Sequence, residues 1–498
     1  MRSLLQIHPS DNVVVALRPL QAGEQVDGLT LATDVPAGHK VARVAIAAGS
    51  PVIKYGHTIG SAKSDIGAGQ HVHTHNLAST LGQDWSTYAR SPVRFSPPPT
   101  EKRFFDGYRR ADGRVGVRNE VWIIPTVGCV NQASAKIAEQ ANRQFPTSEN
   151  FDGVHAYPHP FGCSQLGGDL ENTRHVLAGL LKHPNAAAVL VIGLGCENNQ
   201  MKELLAKAGA TAANDGRLRY FSAQDVPDEI EAGVEAVIKL VEYAKQFKRQ
   251  PVPASELMLA MKCGGSDGFS GITANPLVGR VADRLTAQGG TTILSEVPEM
   301  FGAEQVLLDR ASDEATAAKI VWLVNDFREY FRSYDQPIDE NPSPGNKAGG
   351  LSSNADKSLG CLQKAGDAPI KQVLEYGRPA TPSLGGVALV NAPGNDGVSS
   401  TAMTVAGAHL ILFTTGRGTP MGFPVPTIKI ASNADLAQRK PSWIDFNAGK
   451  LLEDGANPSA VADELFDLVL DIASGRKRTR NEINGNREIA IWKDGVTL

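Results

Sequence analysis

Six apolar segments run directly into Gly-rich loops, and this pattern limits the possible folds more than any other feature of the chain. They read EVWIIPTVGC, AAAVLVIGLGCENN, LMLAMKCGGSDG, TTILSEVPE, GVALVNAPGND and HLILFTTGRGTP. Strands that are apolar throughout are buried on both faces, which is typical of parallel sheets covered by helices. Ligands of such sheets bind beyond the carboxyl ends of the strands. The Gly-rich loops are therefore where we expect the functional site.

The clearest helix between these strands is predicted over Pro227–Lys245. Its apolar residues fall on one face, acidic residues occupy its first turn, and Pro251 follows its end, all of which favour a helix with these bounds. No segment has the shape of a Walker loop, and GLGCEN lacks the third glycine of a dinucleotide-binding motif. A nucleotide site is therefore not expected.

The N-terminal region has a different pattern, with short strand-like pieces between Gly-containing turns. Strands are predicted over Asn12–Leu17, Lys40–Ile46 and Pro51–Tyr55, which indicates a small all-β unit over residues 1–77. The next segment, LASTLGQDWSTYARSPVRFSPPPTEKR, has no helical or strand period and resembles an extended linker. FKRQPVPASEL, at 247–257, is a second boundary. A chain of 498 residues is expected to form two to four domains.

Composition and charge exclude several classes of protein. Apolar residues make up 42% of the chain and charged residues 20%, with a formal net charge of −4. These values are typical of a globular protein without a nucleic-acid-binding surface. The N-terminus lacks the apolar core of a signal peptide, and no run approaches the roughly 18 apolar residues of a membrane span. Five scattered cysteines form no disulfide framework, so we expect a cytoplasmic protein.

Three of the five cysteines follow a glycine at the end of a predicted strand: Cys129, Cys163 and Cys196. If these strands are neighbours in one parallel sheet, the thiols converge, and three thiolates suit iron or an iron–sulfur cluster. Small cysteines also pack well at strand ends, so the sequence leaves both interpretations open. If the thiols do not share a metal, Glu296 and Glu304 of SEVPEMFGAEQ are the alternative ligands, because carboxylates suit hard cations.

Polar and cationic residues gather in the loops after the later strands. KCGGSDGFSGITANP places Ser266, Asp267 and Asn275 among four glycines, which suits binding of a carboxylate or a polyol. NPSPGNKAGG and TTGRGTP present Lys347 and Arg417. Such groups bind anions, and an arginine holds a carboxylate in a bidentate fork.

The segment GAGQHVHTHN has histidine at every second position. If it is a strand, His71, His73 and His75 share one face. The residues alone leave three interpretations, which are metal ligands, proton carriers and a solvated strand face. Side chains four residues apart in a strand start about 13 Å apart, so a metal shared by all three needs a bend.

Taken together, the motifs resemble the altronate and galactarate dehydratases of bacterial hexuronate breakdown. The similarity runs nearly end to end, through GHTIGSAKSDIGAGQHVHTHN, RADGRVGVRNEVWIIPTVGCVN, FGCSQLG, VLVIGLGCENNQ, KCGGSDGFSGITANP, EVPEMFGAEQ, NPSPGNKAGG, APGND and TTGRGTP. The chain length, TVGCVN and GLGCENNQ are most similar to the altronate branch. The galactarate branch is longer and has TVFCEN at the first cysteine.

The resemblance implies a division of the chain and a reaction. The segments are an N-terminal SAF (β-clip) domain over 1–78, an extended linker over 79–104, a middle α/β domain over 105–252 that forms a homodimer, and a C-terminal Rossmann-like catalytic domain over 253–498. The implied reaction is dehydration of D-altronate to 2-dehydro-3-deoxy-D-gluconate with Fe²⁺ or Mn²⁺. Galactarate dehydration, a sulfolactate lyase-like activity and a non-catalytic sugar-acid sensor are the alternatives.

This chemistry suggests roles for the residues above. Loss of water across C2–C3 needs a base for the C2 proton and an acid for the departing hydroxyl, and histidine serves as either. We therefore expect His73 and His75 to face the metal or substrate, His71 to be peripheral, and Lys347 to be the third catalytic residue. The expected substrate-binding residues are Ser266, Asp267, Asn275, Asn346 and Arg417.

Overall fold

The N-terminal region consists of short strands in the computed structural model, which describes residues 2–81, 89–98, 101–209 and 216–498. The strands are Leu4–Leu5 (β1), Val13–Ala16 (β2), Gln25–Val26 (β3), Leu29–Thr30 (β4), Lys40–Ala42 (β5), Pro51–Lys54 (β6), His57–Ala62 (β7), His71–Val72 (β8) and Leu77–Ala78 (β9). They form sheets of order β1-β2-β5-β8 and β6-β7-β9 and the hairpin β3-β4. The predicted all-β unit is confirmed, and we call it the β domain.

The predicted linker falls partly on residues 82–88 and 99–100, which lie outside the described residues. Its last residue, Phe104, belongs to a strand, and its described stretch 89–98 has no helix or strand and lies against the C-terminal domain. There Arg90 pairs with Glu314 at 2.6 Å, and the N–H of Val93 donates to the carbonyl of Asp309 at 3.0 Å. This stretch is therefore docked rather than suspended between domains.

The middle region contains a four-stranded parallel sheet, of order β13-β12-β14-β15, and a three-stranded antiparallel sheet, of order β11-β10-β16. The strands are Phe104–Arg109 (β10), Val115–Gly116 (β11), Glu120–Pro125 (β12), Val154–Ala156 (β13), Ala186–Gly193 (β14), Leu218–Ser222 (β15) and Arg249–Pro253 (β16). The helices are Asn131–Gln144 (α1), Gly167–Lys182 (α2), Met201–Lys207 (α3) and Glu229–Ala244 (α4). The predicted helix is α4, and the carboxylate of Asp228 caps it by accepting from the N–H groups of Ile230 and Glu231.

The C-terminal region is built on a seven-stranded parallel sheet of order β19-β20-β18-β17-β21-β22-β23. The strands are Met258–Cys263 (β17), Thr291–Leu294 (β18), Ile370–Leu374 (β19), Gly386–Val390 (β20), Leu410–Thr415 (β21), Thr427–Ala431 (β22) and Phe446–Asn447 (β23). The helices are Ala274–Ala287 (α5), Glu304–Asp309 (α6), Glu314–Ser333 (α7), Pro344–Ala348 (α8), Asn354–Leu362 (α9), Asp396–Val405 (α10), Ala434–Arg439 (α11), Pro458–Ala473 (α12) and Arg480–Ile483 (α13). β20 inserts between β18 and β19, which gives the sheet a crossover. The predicted fold class is confirmed.

Both faces of the C-terminal sheet are buried. Leu259 and Met261 of β17 pack with residues of α5, α7 and α12. Met258 and Ala260 face the other way and pack with α10 and with α2 of the middle region. Because α2 lies between the two parallel sheets, one hydrophobic cluster contains residues of both the middle and the C-terminal domain. None of the helices that the structure describes is long and apolar enough to cross a membrane.

A buried ion cluster holds the β domain on the C-terminal domain. The ammonium groups of Lys40 and Lys54 contact the two carboxylate oxygens of Asp356 at 2.8 and 2.9 Å, and all three side chains are at most 1% exposed. Burial alone would raise the pKa of Asp356, but the two lysines outweigh burial and lower it. Lys40 also donates to the carbonyl of Gly350 at 2.8 Å.

Candidate functional site

The crevice between β17 and β21 is the point where the order of the C-terminal sheet reverses. The chain continues from β17 to β18 on one side and from β21 to β22 on the other, and such a point is the usual ligand site of an open α/β sheet. The loops that follow the two strands are joined by their backbones. The N–H groups of Gly416 and Arg417 both donate to the carbonyl of Gly265, at 3.1 and 3.0 Å.

Asp267 lies buried between these loops. Its Oδ1 accepts from the hydroxyls of Ser270 and Ser432 at 2.8 and 2.9 Å, and its Oδ2 accepts from the amide of Asn433 at 3.1 Å. Burial raises the pKa of Asp267, although these donors lower it in part. A Cβ on Gly416 would lie 2.2 Å from Cγ of Asp267, so only glycine permits this approach. The carboxylate therefore braces the crevice, and its contact with substrate stays a prediction.

The predicted amide residues also have partners inside the protein. The side-chain N–H₂ of Asn275 donates to the carbonyl of Gly360 at 2.9 Å, and its oxygen accepts from the hydroxyl of Thr414 at 2.6 Å. The amide of Asn346 donates to the carbonyl of Ser266 at 2.8 Å. The structure therefore brings Ser266 and Asn346 together, and both amides set the shape of the loops.

Lys347 and Arg417 differ from these residues because their charged groups are free. Lys347 is half-buried in α8 and Arg417 is exposed after β21. Within the parts of the chain that the structure describes, neither side chain has a hydrogen-bond or ion-pair partner. The loops at the switch point thus offer cationic groups for an anionic ligand.

The histidine segment is not the extended strand that the alternation predicts. β8 ends at Val72, and the chain then turns. The bend allows the rings of both His73 and His75 to lie with centroids 5.4 Å from that of His71. His71, which we expected to be peripheral, is therefore central to the group. His75 is exposed at its edge.

A fourth histidine, His39, joins this cluster and was missed in the sequence. Its Nδ1 shares a hydrogen bond of 3.0 Å with Nε2 of His71, and its ring centroid lies 5.0 Å from that of His73. Ligand atoms of these three residues all lie within 4.8 Å of one another. His39 precedes β5, which pairs with β8, but no local pattern indicates that pairing.

The cluster has the chemistry of a metal site. Burial lowers the pKa of His71 to about 3, with smaller contributions from the other histidines, and lowers that of His73 to about 4, with help from Lys40. Both imidazoles are therefore neutral at pH 7. Nδ1 of His73 is buried and has no hydrogen-bond partner among the described residues. Burial lowers the pKa of His39 as well. Three neutral imidazoles suit a divalent transition-metal ion, so these residues fit the metal that the resemblance implies.

Residues 348–350 connect the cluster to the crevice. Nε2 of His39 lies 3.3 Å from the carbonyl oxygen of Ala348. The next carbonyl, of Gly349, accepts from the N–H of Gly268 at 2.8 Å, directly after Asp267. The β domain thus places its histidines beside the loops at the switch point.

A second group of three donors lies beneath the crevice and consists of Cys263, Glu299 and Cys361. The two sulfurs are 3.4 Å apart, and Sγ of Cys263 lies 3.0 Å from Oε2 of Glu299. The ammonium of Lys364 also donates to Sγ of Cys263, at 2.8 Å. Burial opposes the charge of Lys364, but the Cys263 sulfur and Glu296 raise its pKa well above the ordinary value. This group already contains its cation, so it fits a metal less well than the histidines do.

The alternative ligands Glu296 and Glu304 are likewise neutralised by the protein. Glu296 is paired with Lys262 and with Lys364, and Glu304 is paired with Arg328 at 2.6 Å. Neither carboxylate belongs to a group of three metal donors in the described ranges. Binding of a metal by these two residues would require loss of their ion pairs.

Three exposed cysteines lie on the loops at the carboxyl edge of the middle sheet, and they are Cys129, Cys163 and Cys196. These loops contact each other, since the N–H of Gly128 donates to the carbonyl of Phe161 at 2.9 Å and that of Asn199 donates to Gly162 at 2.8 Å. The predicted neighbouring strands are thus present. The three sulfurs are not among the donor groups within 4.8 Å that the described residues form, and a shared cluster stays a prediction.

Three family models match the chain in order. They are the altronate/galactarate dehydratase SAF domain over residues 2–80, the second domain of D-galactarate dehydratase/altronate hydrolase over 107–245, and the C-terminal domain of D-galactarate/altronate dehydratase over 254–497. These ranges enclose the histidine cluster, the middle sheet and the switch-point crevice respectively.

Curated relatives are similar over almost their whole length. An altronate dehydratase of Bacillus subtilis is 48% identical, with 100% of both chains covered. An altronate dehydratase of Escherichia coli is 50% identical, with 99% of both chains covered. A galactarate dehydratase (L-threo-forming) of Escherichia coli is 34% identical, with 98% of this chain and 96% of the relative covered.

Proposed function

Because the chain belongs to the D-galactarate/altronate dehydratase family, we propose that it dehydrates D-altronate to 2-dehydro-3-deoxy-D-gluconate in the catabolism of hexuronates such as galacturonate. The observation that carries this assignment is the identity of about 50% to altronate dehydratases over the full length, against 34% to the galactarate enzyme. The free cations and neutral histidines at the switch point suit a sugar acid. We place the protein in the cytoplasm, as a homodimer formed through the middle domain.

The metal is Fe²⁺ or Mn²⁺, and His39, His71 and His73 would hold it. Bound there, a divalent ion supplies Lewis-acid stabilisation of the negative charge that develops on the substrate. The exposed cysteines of the middle domain, including Cys129, are the alternative holders, as ligands of an iron–sulfur cluster. The two arrangements differ in absorbance, because thiolate-bound iron absorbs visible light and imidazole-bound Fe²⁺ does so only weakly.

The protein's own side chains bind the acid and move the protons. Arg417 and Lys347 pair with the substrate carboxylate, and the loops braced by Asp267 orient its hydroxyls. His75, at the exposed edge of the cluster, transfers a proton between C2 or the departing C3 hydroxyl and solvent. His73, which we expected to face the metal or substrate, is one of the residues that would hold the ion.

The assay that tests the function uses protein purified anaerobically and supplied with Fe²⁺ or Mn²⁺. Altronate should yield a 2-keto-3-deoxy acid, and galactarate and sulfolactate should be poor substrates. His75→Ala should lower kcat by about 10²-fold, the usual scale for a general acid or base, while His8→Ala, at an exposed position in the same domain, is the matched control. Faster turnover of galactarate would reassign the chain within its family, and tight binding without turnover would indicate a sensor.

The anion clamp has a separate test. Arg417→Lys removes the bidentate fork but keeps the charge, so KM for altronate should rise more than kcat falls. An unchanged KM would mean that Arg417 does not contact the substrate.

A further inference from the structure

A cavity of about 840 Å³ lies between the middle and C-terminal domains. Its walls include residues 112–115, the end of α2, and the segments that precede β17, β18, β20 and β21. Because these segments lie at the amino ends of the strands, the cavity is at the opposite end of the sheet from the crevice. Its volume is in the range of small-molecule sites, and the proposed reaction uses none of its residues.

The walls of the cavity have an excess of positive charge. Four cationic side chains face two carboxylates, and they are Arg114, Lys182, Lys207 and Arg378 against Asp112 and Glu256. Both carboxylates are already paired, Asp112 with Arg114 at 2.5 Å and Glu256 with Arg109 at 2.8 Å. The wall carboxylates therefore leave Lys182 and Arg378 without a counter-charge inside the cavity, since the carboxylate that pairs with Arg378, that of Glu375 at 3.6 Å, is exposed and is not part of the walls.

Two groups in the wall lack partners. The ammonium of Lys182 has no hydrogen-bond or ion-pair partner among the described residues, and burial together with Arg114 and Arg378 lowers its pKa. Nε2 of His175 is buried and likewise has no partner in the described part of the chain. Neighbouring cations repel each other unless an anion lies between them, and a buried ring nitrogen without a partner is a vacant position for a hydrogen bond.

We propose that this cavity binds a compact organic dianion, either a phosphate monoester of a sugar or a dicarboxylate. Lys182 and Arg378 supply the two positive charges, and His175 supplies the hydrogen-bonding nitrogen. Val115, Pro379 and Val405 line the same cavity and contact the carbon skeleton of the ligand. The site is distinct from the crevice and does not depend on which sugar acid the enzyme dehydrates.

The test is isothermal titration calorimetry of the full-length protein at constant ionic strength. Glucose 6-phosphate and succinate are the two dianions, and glucose is the uncharged control. At least one dianion should bind with a dissociation constant below about 1 mM, and glucose should not bind. The variant Lys182→Gln/Arg378→Gln should weaken binding of the dianion about tenfold or more, since it removes both positive charges that pair with it. Lys319→Gln, which removes an exposed lysine on α7, should leave it unchanged.

The identity of the dianion that binds shows which kind of ligand the cavity takes. Binding of glucose 6-phosphate alone indicates a site for a tetrahedral phosphate group, and binding of succinate alone indicates a site for two carboxylates. Three results would overturn the proposal: no binding of either dianion, equal weakening in both variants, or displacement of the dianion by altronate. The last result would place the anion in the crevice. Turnover of altronate is measured separately and should be unchanged in the Lys182→Gln/Arg378→Gln variant, because the proposed reaction uses neither residue. Failure of the dianion site therefore leaves turnover intact, whereas failure of the proposed reaction is seen as absence of turnover in the unmodified protein.

Discussion

Replacement of Asp356 by asparagine should release the β domain from the C-terminal domain. Asp356 is the shared partner of Lys40 and Lys54, at 2.8 and 2.9 Å, and none of the three side chains is more than 1% exposed. Asparagine keeps a hydrogen-bond acceptor and nearly the same volume but removes the negative charge. The variant therefore leaves two buried ammonium groups uncompensated while changing little else.

The structure sets the size of this effect. Removal of one partner from a buried ion pair costs about 3–5 kcal/mol, because a charge stays buried without compensation. The retained acceptor favours the lower end of that range, so we expect about 3 kcal/mol, or about 10²-fold in the docking equilibrium. Undocking moves His39 and its neighbours away from residues 348–350, so kcat should fall with it.

Urea unfolding, limited proteolysis and turnover measure this prediction together. Asp356→Asn should lower the urea midpoint, and limited proteolysis should release a fragment of the size of the β domain. Asp435→Asn is the matched control and should do neither, because the ion pair of Asp435 with Arg439 is exposed and contributes under about 1 kcal/mol. Replacement of all three buried groups by Met, Met and Leu should restore docking. If Asp356→Asn behaves like the control, the ion cluster does not hold the domains together.

Two further predictions concern stability. Gly179→Ala places a Cβ 2.3 Å from Cγ1 of Val405, so it should lower the urea midpoint by the equivalent of about 1–3 kcal/mol. Gly168→Ala, in the same helix but with open space around it, should leave the midpoint unchanged. Equal effects of the two variants would rule out close packing of α2 on α10. Burial raises the pKa of Asp445 from 3.8 to about 6. Between these two pH values the folded state binds more protons than the unfolded state, so the free energy of unfolding falls as the pH rises from the lower to the higher value. Asp445→Asn should therefore raise the urea midpoint more at about pH 7 than at about pH 4, and an equal change at both pH values would contradict this interpretation.

The amino-acid sequence by itself determined the layers of this protein and the edge at which its site is expected. β14, β17, β20 and β21 are buried at every position, and burial on both faces requires the unbroken apolar runs that are visible in the sequence. The loops after those strands were equally evident, because glycine and short polar residues interrupt the runs. The helix α4 followed from its periodicity and its acidic first turn.

Only the tertiary structure decided which side chains meet. His39 reaches His71, 32 positions away, because the short strands β5 and β8 pair. Cys263, at the end of β17, meets Cys361 of α9 and Lys364 just after that helix, although about a hundred positions separate it from each of them. The turn after Val72, which gathers the histidines, replaced the extended strand that alternation predicts. Periodicity records which face of an element is buried, since burial repeats with the local geometry of the backbone. Periodicity does not indicate which distant residue packs on that face. The groups of metal donors, the buried lysines paired with acids and the cavity between domains all depend on such distant residues.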